Sequence, residues 1–157
     1  MRIVIGSEHA GFSLKEKILE YLDNKGCQID DLSLNPDETS TLDYTHVAAR
    51  ISKKVMEGEY ELGILICGTG IGMSIAAGKF PGIRAALCTN EFSARMAREH
   101  NDCNVLCLGT WNVGERLAYQ IVDTFILSSF QGGRHLPRVN HIYDIEKAVM
   151  TKKDFIK

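Results

Sequence analysis

The chain has 157 residues, 45% of them hydrophobic and 24% charged, the balance of an ordinary globular domain around one continuous core rather than of a disordered or fibrous chain. Eighteen Lys and Arg against twenty Asp and Glu leave a net charge of -2, so the basic excess that grips a nucleic-acid backbone is missing and nucleic acid is not an expected partner. No apolar stretch approaches about eighteen residues and Met1 leads directly into a strand-like run, so the expectation is no membrane span, no secretion signal and a cytoplasmic protein.

Arg2-Ile3-Val4-Ile5-Gly6 reads as a first strand. Ser13 and Glu16 have the spacing of a capping box ahead of Leu14, Ile18, Leu19 and Leu22, which predicts a helix that stops near Gly26. Residues 28 to 34 are a weaker second strand, and Asn35 to Thr41 read as a loop. Asp43 is placed to cap a helix carrying Val47, Ala48, Ile51 and Val55. Leu62 to Cys67 is a continuous apolar run, the pattern of a strand covered on both faces.

Gly68 to Gly72 interrupts that run before a helical stretch from Met73 to Gly78, and Ile83 to Cys88 is a fourth strand. Thr89 or Asn90 caps a helix with Phe92 and Met96, Asn104 to Leu108 is a fifth strand, and Asn112 with Glu115 opens a helix through Ile121, Val122 and Phe125. Strand and helix alternate five times. The expected architecture is an α/β doubly wound five-stranded parallel sheet with helices on both faces, a Rossmann-like three-layer sandwich occupying residues 1–157 as a single domain. A last helix, at about 137–150, carries Val139, Ile142, Ile145 and Val149 after the sheet is complete; packing on a second subunit gives it a surface to cover.

Ligands of such sheets bind beyond the carboxyl ends of the strands. The segments placed there are Ser7-Glu8-His9, Cys67-Gly68-Thr69-Gly70-Ile71-Gly72 and Thr89-Asn90, with His100-Asn101 nearby. A glycine-rich turn between strand and helix presents backbone N–H groups to an anion or a developing oxyanion. It is not a nucleotide P-loop, because the Gly-Lys-Ser/Thr ending is missing, and it lacks the third glycine of the dinucleotide fingerprint. Cys67 ends a strand beside those N–H groups, where positive potential favours a thiolate able to act as a general base, although a buried structural thiol is the alternative. Arg134 and Arg138, four residues apart, share one helical face and suit a phosphate monoester or a solvated basic surface. The five cysteines, Cys27, Cys67, Cys88, Cys103 and Cys107, contain no C-x-x-C pair and read as reduced thiols. The grouping of Cys103, Cys107 and His100 is set aside as a metal site because Cys107 falls in a buried strand.

Three motifs, Ile66 to Ala77, Arg98-Glu99-His100-Asn101-Asp102 and Gly132-Gly133-Arg134-His135-Leu136-Pro137-Arg138-Val139, resemble those of the ribose-5-phosphate isomerase B family of sugar-phosphate isomerases, and the likeness runs from Gly6 to the terminal helix. The resemblance implies an aldose–ketose isomerase working on ribose 5-phosphate and ribulose 5-phosphate, with no metal and no organic cofactor. It implies Cys67 as the base, His100 as the acid that opens the furanose ring, Thr69 as a proton relay and Asn101 as a hydroxyl ligand. The amides of Gly68 to Gly72, those of Gly68, Thr69, Gly70, Ile71 and Gly72, would face the oxyanion. His9, Arg134 and Arg138 would hold the phosphate, with Tyr44 and Glu8 toward the sugar, in active sites shared between the subunits of a homodimer or a tetramer. The chain departs from the family in three places: Glu8 stands where Asp is usual, Trp111 where Arg is frequent, and Met73 where another branch carries a glutamate base. The alternatives are an isomerase of allose or galactose 6-phosphate and a non-catalytic sugar-phosphate or nucleotide-binding module.

Overall fold

A computed structural model of the chain describes residues 1–33 and 43–151. The strands are β1 (Ile3–Ser7), β2 (Ile29–Asp31), β3 (Leu62–Cys67), β4 (Ala85–Leu87) and β5 (Val105–Gly109), all parallel in the order β2-β1-β3-β5-β4. The helices are α1 (Phe12–Asp23), α2 (Tyr44–Met56), α3 (Ile71–Ala77), α4 (Glu91–Asn101), α5 (Glu115–Leu127) and α6 (Leu136–Met150). This is the expected doubly wound sheet. No helix among the described residues is long and apolar enough to cross a membrane.

Alternate residues of a strand face opposite sides of the sheet, which divides the core in two. Ile3, Ile5, Ile64, Ile66, Leu106 and Leu108 pack against α1, α4 and α5; Val4, Leu65, Cys67, Val105 and Cys107 pack against α2 and α3. Right-handed crossovers decide which helix covers which face. The steps β1 to β2 and β4 to β5 run one way across the sheet, whereas β2 to β3 and β3 to β4 run the other, so α1 and α4 lie opposite α2 and α3. Cys103 and Cys107 thus belong to cores on opposite faces.

Several ends differ from the sequence expectation. The Ser13–Glu16 capping box does not form: a 3-10 turn, His9–Gly11, precedes α1, so the helical path starts earlier, with Glu8 accepting the Ala10 N–H at 3.1 Å. Glu16 instead meets Lys15 Nζ at 2.6 Å. Gly114, not Asn112, occupies the N-cap of α5. The second and fourth strands are shorter than expected, and α3 begins at Ile71 rather than Met73. Asp43 and Asn90 do cap α2 and α4, accepting the N–H groups of Thr45 and Ser93 at 2.8 Å. The loop expected from Asn35 to Thr41 lies outside the described residues.

The terminal helix touches its own domain sparsely. Val139 is its buried residue, Glu146 accepts the Gly82 N–H at 2.9 and 3.1 Å, and the Tyr143 hydroxyl meets Arg84. Leu136, Ile142, Tyr143, Val149 and Met150 remain exposed.

Candidate active site

The chain leaves β1 toward one edge of the sheet and β3 toward the other, and the diverging connections open a crevice at their carboxyl ends. A cleft of about 400 Å³ lies there, lined by Glu8, His9, Tyr44, Cys67, Gly68, Thr69, Ile71, Gly72 and Trp111 among others. Nine of the fourteen residues singled out from the sequence therefore meet in one place.

Cys67 closes β3 and is 7% exposed at the cleft floor. Its Sγ accepts the N–H of Gly70 at 3.1 Å, and Ile71 donates its N–H to Thr69 Oγ1 at 3.3 Å. Gly70 makes this turn with φ of 76°, and a Cβ there would lie 2.5 Å from Leu87 Cδ1 and 2.9 Å from the Leu108 carbonyl carbon. Only glycine meets both demands. Two of the amides expected to face an oxyanion, those of Gly70 and Ile71, are thus engaged within the turn.

Two aromatic rings flank the turn. A Cβ on Gly68 would come within 2.7 Å of the Trp111 indole, and one on Gly72 within 2.5 Å of the Tyr44 ring, so both glycines let a wall close on the backbone. Trp111 is 77% exposed, anchored by its N–H to the Gly68 carbonyl at 2.9 Å. Thr110 ties the strand ends together, its N–H on the Cys67 carbonyl at 3.0 Å and its hydroxyl on the Ala10 carbonyl at 3.2 Å. The Glu8 carboxylate caps its own turn and meets His9 Nδ1 at 2.6 Å, leaving the His9 side chain 89% exposed at the mouth.

His100 and Asn101 are elsewhere, which corrects their expected place beside the strand ends. α4 begins at the carboxyl end of β4 and runs back down the sheet, so its eleven residues carry His100 and Asn101 about 16 Å to the opposite end, level with the start of β5. Helix direction, not distance in sequence, decides this. Arg134 and Arg138 sit at the same far end, because the Gln131 N–H binds the Glu99 carbonyl at 3.0 Å and the His135 ring stacks on His100. The end of α4 is itself pinned. Asp102 adopts a left-handed φ of 47°, unusual for a non-glycine residue, and its carboxylate takes Arg84 Nη2 at 2.8 Å and Arg98 Nη1 at 3.1 Å. Arg84 Nε also reaches the carbonyls of Asn101 and Asp102, and Asn101 Nδ2 turns to the Met96 carbonyl at 3.3 Å.

Three other thiols are unsuited to ionise near neutral pH. Burial, with neighbouring Cys103, pushes Cys88 up to about 12, and burial raises Cys103 to about 11 despite Arg84 and Arg98. Complete burial likewise holds Cys107 well above the ordinary thiol range. Met73, at the position of the alternative base, is fully buried in the core under α2 and α3. Sequence reasoning missed Asp102 and the supporting role of Lys15. Lys15 Nζ is held by Asp31 at 2.5 Å, Asp31 accepts the Ser33 N–H at 2.8 Å, and Ser33 Oγ accepts the Ser7 N–H at 3.1 Å, bracing the end of β1. Lys15 lies in no motif, and Asp102, although it closes the Arg98 to Asp102 motif, gave no sign of its contact with Arg84, eighteen residues away in sequence.

Comparison with known proteins agrees with this geometry. The ribose/galactose isomerase family matches residues 3–142. Escherichia coli ribose-5-phosphate isomerase B is 44% identical over 146 residues, which cover 93% of this chain and 97% of that protein. The structure of Clostridium thermocellum ribose-5-phosphate isomerase B superimposes with a TM-score of 0.90 at 48% identity, covering 95% of this chain and 99% of that one. That of the Mycoplasma genitalium enzyme with bound ribulose-5-phosphate gives 0.86 at 40% identity, covering 93% and 96%. A parallel sheet with a cysteine-glycine turn at its switch point, matched over nearly its whole length to these enzymes, makes the chain a member of the ribose/galactose isomerase family.

Proposed function

We propose that the chain interconverts ribose 5-phosphate and ribulose 5-phosphate through an enediolate, in active sites shared between two copies of the chain. The observation that carries the shared site is the separation of its parts: Cys67, Thr69, Tyr44, His9 and Glu8 lie at one end of the sheet, and His100, Asn101, Arg134 and Arg138 at the other. A single substrate cannot span them within one copy. A twofold axis brings the far end of one copy to the cleft of the other, and the exposed apolar residues of α6 give such a pair an interface.

In this reading His100 delivers a proton to the ring oxygen, the bond from C1 to that oxygen breaks, and the anomeric hydroxyl gives its proton to solvent water, which opens the furanose to the aldehyde. Cys67 Sγ, as thiolate, takes the proton from C2; the electron pair moves into the C1–C2 bond and negative charge develops on O1. The same proton returns to C1, and Thr69 carries the exchange between O1 and O2, which leaves the ketose. The amides of Gly68, Thr69 and Gly72 are the donors that remain for the enediolate. Arg134, Arg138 and His9 hold the phosphate, whose binding fixes C1 and C2 against the sulfur. In the same reading residues 1–157 form one sugar-phosphate isomerase domain, and its last helix packs on the partner subunit.

The test is complementation. Cys67→Ala and His100→Ala proteins are each expected to be inactive in ketose formation from ribose 5-phosphate. After dissociation and equal mixing, half of the dimers are hybrids with one intact site of two, restoring about a quarter of wild-type activity. Mixtures that stay inactive although hybrids form would overturn the shared site.

A further inference from the structure

The segment between α5 and α6 is folded back onto the end of α4. Gly132 and Gly133 turn it with positive φ, 61° and 51°, and the Gln131 side-chain amide meets the Glu99 carboxylate at 2.8 Å beside the backbone contact. The turn lays the His135 imidazole flat on that of His100, with ring centroids 4.0 Å apart and planes 13° from parallel. His135 is 5% exposed, and its Nε2 accepts a hydrogen bond from Arg134 Nε at 3.4 Å. One buried ring thus meets the ring-opening acid with its face and a phosphate ligand with its edge.

Guanidinium nitrogen only donates, so a bond from Arg134 makes Nε2 the acceptor and the ring the neutral Nδ1–H tautomer. Desolvation, together with the charges of His100, Arg134 and Arg138, lowers the His135 pKa and favours the same neutral form. A neutral ring stacks under a protonated neighbour without the repulsion that two imidazolium ions would suffer.

We propose that His135 is a positioning residue with two separable actions: its face fixes the plane of His100 relative to the sugar-ring oxygen, and its Nε2 fixes the Arg134 guanidinium for phosphate. The proposal rests on the reading of His100 as the ring-opening acid and Arg134 as a phosphate ligand. A chemical step is sensitive to displacement of its acid by about 1 Å, whereas the anchor acts on binding, so the two actions separate in kcat and KM.

Three variants of the full chain test it with ribose 5-phosphate as substrate. His135→Ala removes ring and acceptor, and is expected to lower kcat about tenfold or more and to raise KM. His135→Phe keeps a stacking face without the acceptor; it should restore kcat to within about threefold while KM stays raised. His135→Gln keeps an acceptor for Arg134 without the ring and should give the reverse, near-normal KM with low kcat. Thermal melting of each variant accompanies the kinetics. Equal loss of kcat in the Phe and Ala proteins, wild-type kcat in the Ala protein, or activity that only tracks melting temperature overturns the positioning role while leaving the isomerase reading intact. Full turnover by His100→Ala overturns the acid assignment itself, and the positioning role falls with it.

Discussion

The two ends of the sheet carry halves of one proposed site and are held by different means. At the carboxyl ends of β1 and β3 the backbone does the placing: Gly70 in a left-handed turn, the N–H on Cys67 Sγ, and glycines at positions 68 and 72 that admit the Trp111 and Tyr44 rings. At the other end side chains do it, through the Arg84–Asp102–Arg98 cluster and the stacked pair of His100 and His135. The first half sits where every doubly wound sheet has its crevice; the second sits where such sheets have none. A half-site in that place has meaning only against a second molecule, so the contrast in construction is also the argument for a dimer.

The largest effect expected on this contrast comes from the sulfur. Cys67→Ala removes the proposed base and should lower kcat by about 10²- to 10⁴-fold, the range of a general base, while the protein still binds sugar phosphate in calorimetry. Loss of binding together with turnover would mean that the turn, not the chemistry, had been broken. Next come the arginines of the far half. Arg134→Ala and Arg138→Ala each remove a proposed phosphate ligand, and a charge-assisted contact of about 1.5 to 3 kcal/mol predicts KM raised by roughly ten- to a hundredfold, with kcat less affected. An unchanged KM in both would return that surface to solvent.

How much of this could be read from the sequence follows the same division. The near half was legible because strand, turn and helix follow one another directly: the apolar run of Leu62 to Cys67 set the strand, and Gly68 to Gly72 had to be its turn. His100 was placed beside the strand ends and lies at the other end of the sheet, since periodicity reveals that α4 is a helix but the length and direction of α4 decide where its last turn arrives. Asp102 and the His135 stack were not legible, because an ion cluster among residues 84, 98 and 102, or two rings 35 positions apart, leaves no local pattern. The cap expected for α1 failed for a similar reason: Ser13 and Glu16 had the right spacing, but the preceding 3-10 turn had already started the helix.

A smaller effect concerns the exposed wall of the near half. Trp111 lies against Gly68 and narrows the cleft, and removing a pocket wall changes discrimination between neighbouring substrate sizes by about 1 to 3 kcal/mol. Trp111→Ala should therefore shift the ratio of kcat/KM values for allose 6-phosphate and ribose 5-phosphate by about tenfold toward the hexose. An unchanged ratio would remove Trp111 from substrate selection, and a wild-type preference for allose or galactose 6-phosphate would replace the pentose as substrate.

The smallest effect expected is on stability, and it singles out the brace beneath the near half. Burial opposes the charge on Asp31, but hydrogen bonds from Lys15 and Ser33 outweigh it and hold the carboxyl below its ordinary 3.8. Burial likewise opposes the Lys15 ammonium, but Asp31 and Glu16 hold it above 10.5. A carboxylate with a lowered folded value contributes stability that is complete above 3.8 and disappears as pH falls through that lowered value. A raised lysine contributes below 10.5 and loses its contribution as pH rises past the folded value. The pair should thus leave stability flat between these limits. Because Asp31 is about one-third exposed, solvent screening limits its share to about 1 kcal/mol. Asp31→Asn should be less stable than wild type at neutral pH by about that amount, and the gap should narrow as both are acidified below pH 3.8, measured by chemical denaturation across the range. A gap independent of pH would show that the asparagine disturbs packing under β1, and that the ion pair does not brace the turn carrying Glu8 and His9.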